Sequence, residues 1–428
     1  MRRPATSVRD RAAAPPVGQP VWRRPAVGAG VAQLAQAAGS FGLQLVAAHA
    51  LGASGLGVVS LCLGVMILTT AVTSGVVGDS LTVLDRHDRR IRAGLQVWGV
   101  VLSVVGATVS AVALAAGGVL SVAEATALFL ATLAFQWEEV LRRVFMARMR
   151  FWTLLLVDGT AVTTTIGVLG AAAALGALDL RLFFLAVAGG QAAGVACALL
   201  LLPREERRVA GLRGAAMREV LSFGGWRGAQ VAVTPLGLTV TRLLVLSVGG
   251  SAALGEVEAA RIFGAPSLLL VQGLGSYLLA AFARDRAMPL GHLRRAAARA
   301  ATRLSVTALV LGVLLATSAA LVGHVVVGPR VDVHPWTVLG WAVFAAAVGT
   351  MQPFAAAAVT RGRQREVLAL RCLDALIGVG LLAVLLVVFA APPSVTPYVL
   401  AAGPLAGGLL IRRLLLVGDH PTPGKARP

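Results

Sequence analysis

The sequence contains few charged residues and very few acidic ones. Only 13% of its 428 residues are charged, 19 are aspartate or glutamate, and 57% are hydrophobic. The mean hydropathy is +0.82, which lies well outside the range of soluble domains. This scarcity of charge excludes a soluble fold and predicts an integral membrane protein.

Cysteine, tyrosine and lysine are also scarce. The three cysteines, Cys62, Cys197 and Cys372, fall inside apolar runs and form neither a CxxC motif nor a Cys/His cluster. Neither a disulfide framework nor a metal site is expected. Lys425 is the one lysine against 37 arginines, a composition typical of a GC-rich bacterial genome. No GxxxxGK motif is present, so we expect no ATP coupling and no cofactor.

Long apolar runs recur along the chain, and each can cross about 30 Å of hydrocarbon as a helix. Twelve spans are predicted, so the expected fold class is an all-α integral membrane protein of two six-helix lobes. The predicted spans cover residues 27–49, 57–78, 95–117, 123–144, 153–177, 182–202, 219–249, 254–283, 303–327, 336–360, 366–390 and 397–417.

The net charge of +19 is concentrated in alternate loops. The loops on the other side carry only Arg181 and Arg330 as basic residues. This asymmetry follows the positive-inside rule and places both termini in the cytoplasm. The basic loops are expected to contact anionic membrane lipids rather than nucleic acid.

We predict five units along the chain. They are a disordered basic cytoplasmic tail (1–26), an N-terminal lobe (27–202), a cytoplasmic linker (203–218), a C-terminal lobe (219–417) and a cytoplasmic tail (418–428). The first run lacks an A-x-A cleavage site, so no signal peptide is expected.

Two sequence matches indicate an internal duplication of six spans. "LGASGLG" at 51–57 aligns with "GGSAALG" at 249–255, an offset of 198 residues. "RMRFWTLLLVDG" at 148–159 resembles "RQREVLALRCLDALIG" at 363–378. Parallel repeats about an axis along the membrane normal are common in transporters.

Polar side chains form stripes on three of the apolar spans. Lipid contact would make such stripes unstable, so they should face a shared interior. Amides can hydrogen-bond neighbouring helices or a substrate, whereas arginines within a membrane point to an ion or substrate pathway. The predicted cavity residues are Gln33, Gln36 and Gln44, then Arg227, Gln230 and Arg242, and finally Arg261 and Gln272.

Acidic residues in the spans are candidates for binding a coupling ion. The candidates are Asp79, Asp158, Asp374 and Glu258. For the aspartates, pairing with neighbouring loop arginines is the competing interpretation. Glu258 stands three residues before Arg261, so a structural ion pair is expected there.

Several stretches resemble the polysaccharide transporter branch of the multidrug/oligosaccharidyl-lipid/polysaccharide exporter superfamily, which includes O-antigen and teichoic-acid flippases. They are Phe41-Gly42 followed by "LGASGLG", "LRRVFMARMRFWTLLLVDG" at 141–159, and "LSFGGWRGAQ" at 221–230. The resemblance implies transfer of an undecaprenyl-diphosphate-linked oligosaccharide from the inner to the outer leaflet of a bacterial plasma membrane. Cavity arginines would then bind the diphosphate, and the pathway's glycan polymerase and glycosyltransferases would be partners.

Four alternatives remain open. One is a drug/cation antiporter of the same fold. Another is a major-facilitator transporter, because "LDRHDRR" at 84–90 occupies the position of that family's Gly-x-x-x-Asp-x-x-Gly-Arg-Arg loop, although Leu81 and Asp88 replace both glycines. A membrane scaffold is a third. A membrane glycosyltransferase or polymerase is disfavoured because the outer loops are too short to gather catalytic groups.

Overall fold

The computed structural model describes residues 25–85, 88–207, 214–285 and 288–416. Helices account for almost all of these residues, and no strand occurs among them. The predicted tails at 1–26 and 418–428 lie almost entirely outside the described residues, as do residues 208–213 of the predicted linker.

Ten long helices form twelve spans because two of them bend in the middle. Spans 1 and 2 are the arms of Pro25–Thr73, and spans 7 and 8 are the arms of Met217–Arg284. The others, spans 3 to 6 and then 9 to 12, are Arg89–Ala116, Val122–Ala147, Phe151–Ala174, Leu180–Leu201, Leu290–Val327, Pro335–Thr360, Gln364–Val387 and Thr396–Leu410. The predicted fold class is thereby confirmed.

Nine helices within the described ranges are long and apolar enough to cross a membrane, which makes the chain a multi-pass membrane protein. Each of the two bent helices is counted as one of these nine, although it forms two spans. Span 4 is not among them, because Glu138, Glu139, Arg142 and Arg143 lie near its end. Of these four residues, Glu138, Glu139 and Arg142 are buried and Arg143 is half-buried.

The two bends occupy equivalent positions in the duplication. Gly52 has φ 68° and Gly250 has φ 76°, a left-handed conformation that glycine adopts without steric cost. The two residues are 198 positions apart, the same offset as the alignment of "LGASGLG" with "GGSAALG". Each glycine reverses the chain between the first two spans of its lobe.

The lobes meet at a close helix crossing next to these bends. A methyl group added to Gly57 in span 2 would overlap the backbone of Ser251, and one added to Gly255 in span 8 would overlap the backbone of Ala53. Gly57 and Gly255 are related by the repeat offset, as are Ala53 and Ser251. The crossing is therefore reciprocal, and it requires glycine on both sides.

A second contact joins the lobes on the side of the arginine-rich loops, here called the basic side. A methyl group on Gly75 or Gly224 would overlap the backbone of the facing span. The indole Nε1 of Trp98 in span 3 donates to the Met217 carbonyl oxygen at 2.9 Å. The lobes thus touch near both ends, and cavities lie along the interface between them.

Span 9 differs from its prediction. The hydrophobicity pattern places its start at residue 303, but the helix begins at Leu290. The intervening segment is rich in alanine and arginine, which are strong helix formers. A hydropathy criterion ends a span where charges begin, whereas the helix itself continues beyond the apolar region.

Candidate functional site: a buried arginine–glutamate cluster between the lobes

A cluster of two arginines and one glutamate lies in the second lobe, facing the first. Arg242 Nε donates to Glu258 Oε1 at 2.9 Å, and Arg261 Nε donates to Glu258 Oε2 at 2.6 Å. The predicted pair between Glu258 and Arg261 is confirmed. The structure adds Arg242, which binds the same carboxylate from span 7 across the bend.

The cluster reaches across the lobe interface. Arg261 Nη2 donates to Gln44 Oε1 of span 1 at 3.2 Å. On the neighbouring span 2, Gly64 lies so close to the Arg242 guanidinium that a side chain there would displace it. The two lobes therefore share the site. The second lobe supplies the charged groups, and the first lobe supplies the Gln44 amide and the space that Gly64 leaves for the Arg242 guanidinium.

The two arginines differ in exposure. The side chain of Arg242 is 7% exposed and that of Glu258 is 4%, whereas Arg261 is 22% exposed. Arg261 also lines a cavity of about 420 Å³ together with Ser40, Gln44 and Gln272. One carboxylate serves two guanidinium groups, so the cluster carries an excess positive charge, and Arg261 presents it to the cavity.

Gln272 connects this cavity to another inside the second lobe. It also lines a space of about 260 Å³, where the remaining lining is largely apolar. Gln352, Arg371 and Asp374 contribute polar atoms to this second cavity. Sequence patterns did not single out Gln352 or Arg371, because neither belongs to a polar stripe on spans 1, 7 or 8.

The structure does not bring the remaining predicted residues to the cluster. Gln33, Gln36 and Arg227 line a separate cavity of about 410 Å³ toward the basic side. Arg227, whose side chain is 51% exposed, donates from Nε to Asp79 Oδ2 at 2.5 Å and from Nη1 to Gln230 Oε1 at 3.2 Å. The pair of Arg227 and Asp79 joins span 7 to the helical segment after span 2, and so bridges the lobes.

A third charged group lies inside the first lobe. Arg142 is only 2% exposed, and it lies 3.5 Å from Asp158 Oδ2 and 3.6 Å from Glu139 Oε2. Glu139 also pairs with Arg143 at 2.8 Å, an i,i+4 contact on the same helix. The competing interpretation of Asp158, an ion pair with a neighbouring arginine, is borne out by Arg142, which lies in span 4 rather than in a loop.

The two intramembrane aspartates occupy similar places in the two lobes. Asp158 lies in span 5 and Asp374 in span 11, the fifth span of each half, and both are buried. Asp158 has its ion pair with Arg142, whereas Asp374 Oδ2 lacks a hydrogen-bond partner within the described residues. Buried carboxylate oxygens without donors are costly to maintain unless they bind something.

Comparison with solved structures identifies the fold. An inward-facing multidrug resistance MATE transporter of the MOP superfamily superposes with a TM-score of 0.70 at 12% identity, over 91% of this chain and 96% of that one. The lipid II flippase MurJ, in an inward closed conformation, gives 0.64 at 9% identity, over 90% and 86%. A eukaryotic MATE transporter gives 0.59 at 14% identity, over 92% and 95%.

Comparison of the sequence with protein-family models and with curated proteins gives no match. The structural likeness nevertheless extends over about nine-tenths of the chain in each case. At these low identities the likeness establishes architecture alone. The chain therefore has the two-lobe fold of the MATE transporters and the MurJ flippase.

Proposed function

We propose that the protein is a flippase of this fold, which moves an undecaprenyl-diphosphate-linked oligosaccharide from the inner to the outer leaflet of the bacterial plasma membrane by alternating access. The observation that carries the proposal is the cluster of Arg242, Glu258 and Arg261 beside the cavity between the lobes. Guanidinium groups bind diphosphate oxygens through paired hydrogen bonds. Arg261 is the more exposed of the two arginines and would make this contact.

Amides around the cluster suit the uncharged part of such a substrate. Gln44 and Gln272 line the same cavity as Arg261, and amides can donate to and accept from sugar hydroxyls. The cavity containing Gln33, Gln36 and Arg227 lies nearer the basic side, which we take as cytoplasmic. The headgroup of a substrate that enters from the inner leaflet would reach this cavity first.

The direct test is transport in proteoliposomes with a fluorescent polyprenyl-diphosphate oligosaccharide, assayed by protection from an added glycosidase. The proposal expects protein-dependent transfer between leaflets. In cells, deletion of the gene should cause the lipid-linked intermediate to accumulate in the inner leaflet. An unchanged surface glycan without such accumulation would contradict the proposal.

Arg261→Gln is expected to lower the rate of glycolipid transfer by about 10- to 100-fold, since a hydrogen bond to a charged group contributes about 1.5–3 kcal/mol. Glu256→Gln is the matched control, because this glutamate lies on the same helix but outside the ion cluster. Thermal unfolding in detergent would verify that both variants are folded. Normal transfer by a folded Arg261→Gln variant would remove Arg261 from the site.

A second candidate is drug/cation antiport, which the buried aspartates favour. Asp374 borders a largely apolar cavity, and a carboxylate in apolar surroundings suits a lipophilic cation or a coupling ion. The two candidates differ in the sign of the transported charge. Uptake of a fluorescent organic cation, unaffected by the Arg261→Gln change, would favour antiport over the flippase.

Asp158→Asn and Asp374→Asn test ion coupling. Each removes a buried negative charge from the fifth span of its lobe, so we expect at least one to abolish stimulation of transport by an imposed proton or sodium gradient. Asp332→Asn is the control, because Asp332 is exposed in the loop between spans 9 and 10. If both variants keep the full gradient response, these aspartates are structural.

A further inference from the structure

Span 9 is much longer than a membrane crossing requires. Its 38 residues extend about 57 Å at 1.5 Å per residue, against about 30 Å of hydrocarbon. The apolar part from Leu304 to Val327 is about 36 Å long and crosses the core by itself. The segment 290–303 therefore continues for about 20 Å beyond the hydrocarbon on the basic side.

This extension carries a stripe of arginines. Arg295, Arg299 and Arg303 recur every fourth residue, so they lie on one face of the helix. All three are exposed, and span 9 contains no aspartate or glutamate. Arg295 Nε donates to the Gly291 carbonyl oxygen of its own helix, and none of the three takes part in an ion pair with another described residue. No carboxylate among the described residues therefore neutralises their charge.

Toward the C-terminus of span 9, the same helix face becomes apolar and faces lipid. Val306, Val310 and Val313 follow Arg303 by three, seven and ten residues, which places them on the arginine face. Each is more than half exposed. In a helix that crosses a membrane, such apolar side chains contact lipid tails. The arginines directly below them must then face the lipid headgroups.

The opposite face of the extension is fixed to the second lobe. Leu293, Ala297 and Ala301 are buried and belong to one apolar cluster with Phe354 of span 10. Arg361 additionally hydrogen-bonds the Met288 carbonyl just before the helix starts. The arginine stripe is thus held on the rigid body of the lobe, at a constant height relative to its spans.

We propose that Arg295, Arg299 and Arg303 form a binding site for anionic phospholipid headgroups of the inner leaflet. Phosphate groups complement these guanidinium groups in charge and geometry. The headgroup layer is the only layer between the lipid tails that contact Val306 and the aqueous phase. The site fixes the depth of the second lobe in the membrane, and it does not depend on the transported substrate.

The test compares lipid-dependent stability of purified, delipidated protein in detergent. Phosphatidylglycerol should raise the Tm of the wild type by roughly 5 °C, and phosphatidylcholine should not. The triple variant R295Q/R299Q/R303Q should lose more than half of that shift. The control R89Q/R204Q/R218Q removes three exposed arginines from elsewhere on the basic side and should keep the shift, because these three form no stripe.

Equal losses in the two triple variants would overturn the proposal, since any basic loop would then suffice. A shift produced by undecaprenyl diphosphate but not by phosphatidylglycerol would overturn it as well, by assigning the stripe to the substrate. If the triple variant does not purify, R299Q is measured in the same way. About a third of the loss is expected from it, and no loss contradicts the site.

Discussion

Glu258→Gln is expected to prevent accumulation of folded protein. The substitution leaves the guanidinium groups of Arg242 and Arg261 without their shared counter-ion, and the Arg242 side chain is only 7% exposed. Removing one partner of a buried ion pair costs about 3–5 kcal/mol, because an uncompensated charge stays buried. That is a large part of the stability of a typical protein. Size-exclusion chromatography and thermal unfolding in detergent measure the effect.

Two further variants distinguish charge imbalance from loss of the side chain. Glu256→Gln removes a carboxylate two residues away that is outside the cluster, so it should behave as the wild type. Arg242→Gln combined with Glu258→Gln removes one charge of each sign and should recover most of the lost stability. A stable Glu258→Gln single variant would show that water or another group already compensates the arginines.

The bends and the local ion pair could be predicted from sequence, because both depend on short-range rules. The Gly-rich turn recurs at an offset of 198 residues, and Gly52 and Gly250 both adopt positive φ. Glu258 and Arg261 are three residues apart on one helix, so their contact follows from helical geometry alone. Neither prediction required the relative placement of distant helices.

The separation of the arginines into different sites could not be predicted from a helical wheel. Arg227 and Arg242 share a face of span 7, but 15 residues separate them, or about 22 Å along the axis. A wheel shows direction around the axis and ignores this distance. Arg227 consequently lines the cavity near the basic side, and Arg242 lines a cavity beside Gly64.

The identity of the partners in the tertiary ion pairs could not be predicted from the sequence for a related reason. Arg142 approaches Asp158 from a different helix, and Arg242 reaches Glu258 across the Gly250 bend. Whether two such residues meet depends on the rotation and tilt of each helix in its lobe. Those quantities are determined by packing of small residues, as at Gly194, which makes room beside Glu138.

Gly57→Val and Gly255→Val are expected to open the lobe contact beside the bends and to reduce the proposed glycolipid transfer at least about tenfold. Each new side chain meets the backbone of the facing span, Ser251 or Ala53, rather than a movable side chain. Overpacking of this kind costs about 1–3 kcal/mol, and 1.4 kcal/mol changes a conformational equilibrium tenfold. The equilibrium should shift away from the state in which spans 2 and 8 cross.

Pulsed electron paramagnetic resonance measures this shift directly. Spin labels at Ser54→Cys and Ala252→Cys, exposed positions related by the repeat, report the separation of the lobes once the native cysteines are replaced. Either valine should move the distance distribution to longer values. Gly42→Ala and Gly273→Ala are matched controls on the same two bent helices, because nothing lies within 4 Å of an added methyl group there.

The internal repeat adds a second expectation, which concerns how the effects of the two valine variants compare. Because Gly57 contacts Ser251 while Gly255 contacts Ala53, the two valines act on symmetry-related halves of one crossing. Their effects should be similar in size, and the double variant should add little, since the first valine already separates the helices. Strongly additive effects would mean that the two glycines support different contacts, and that the crossing does not close one end of the transport path.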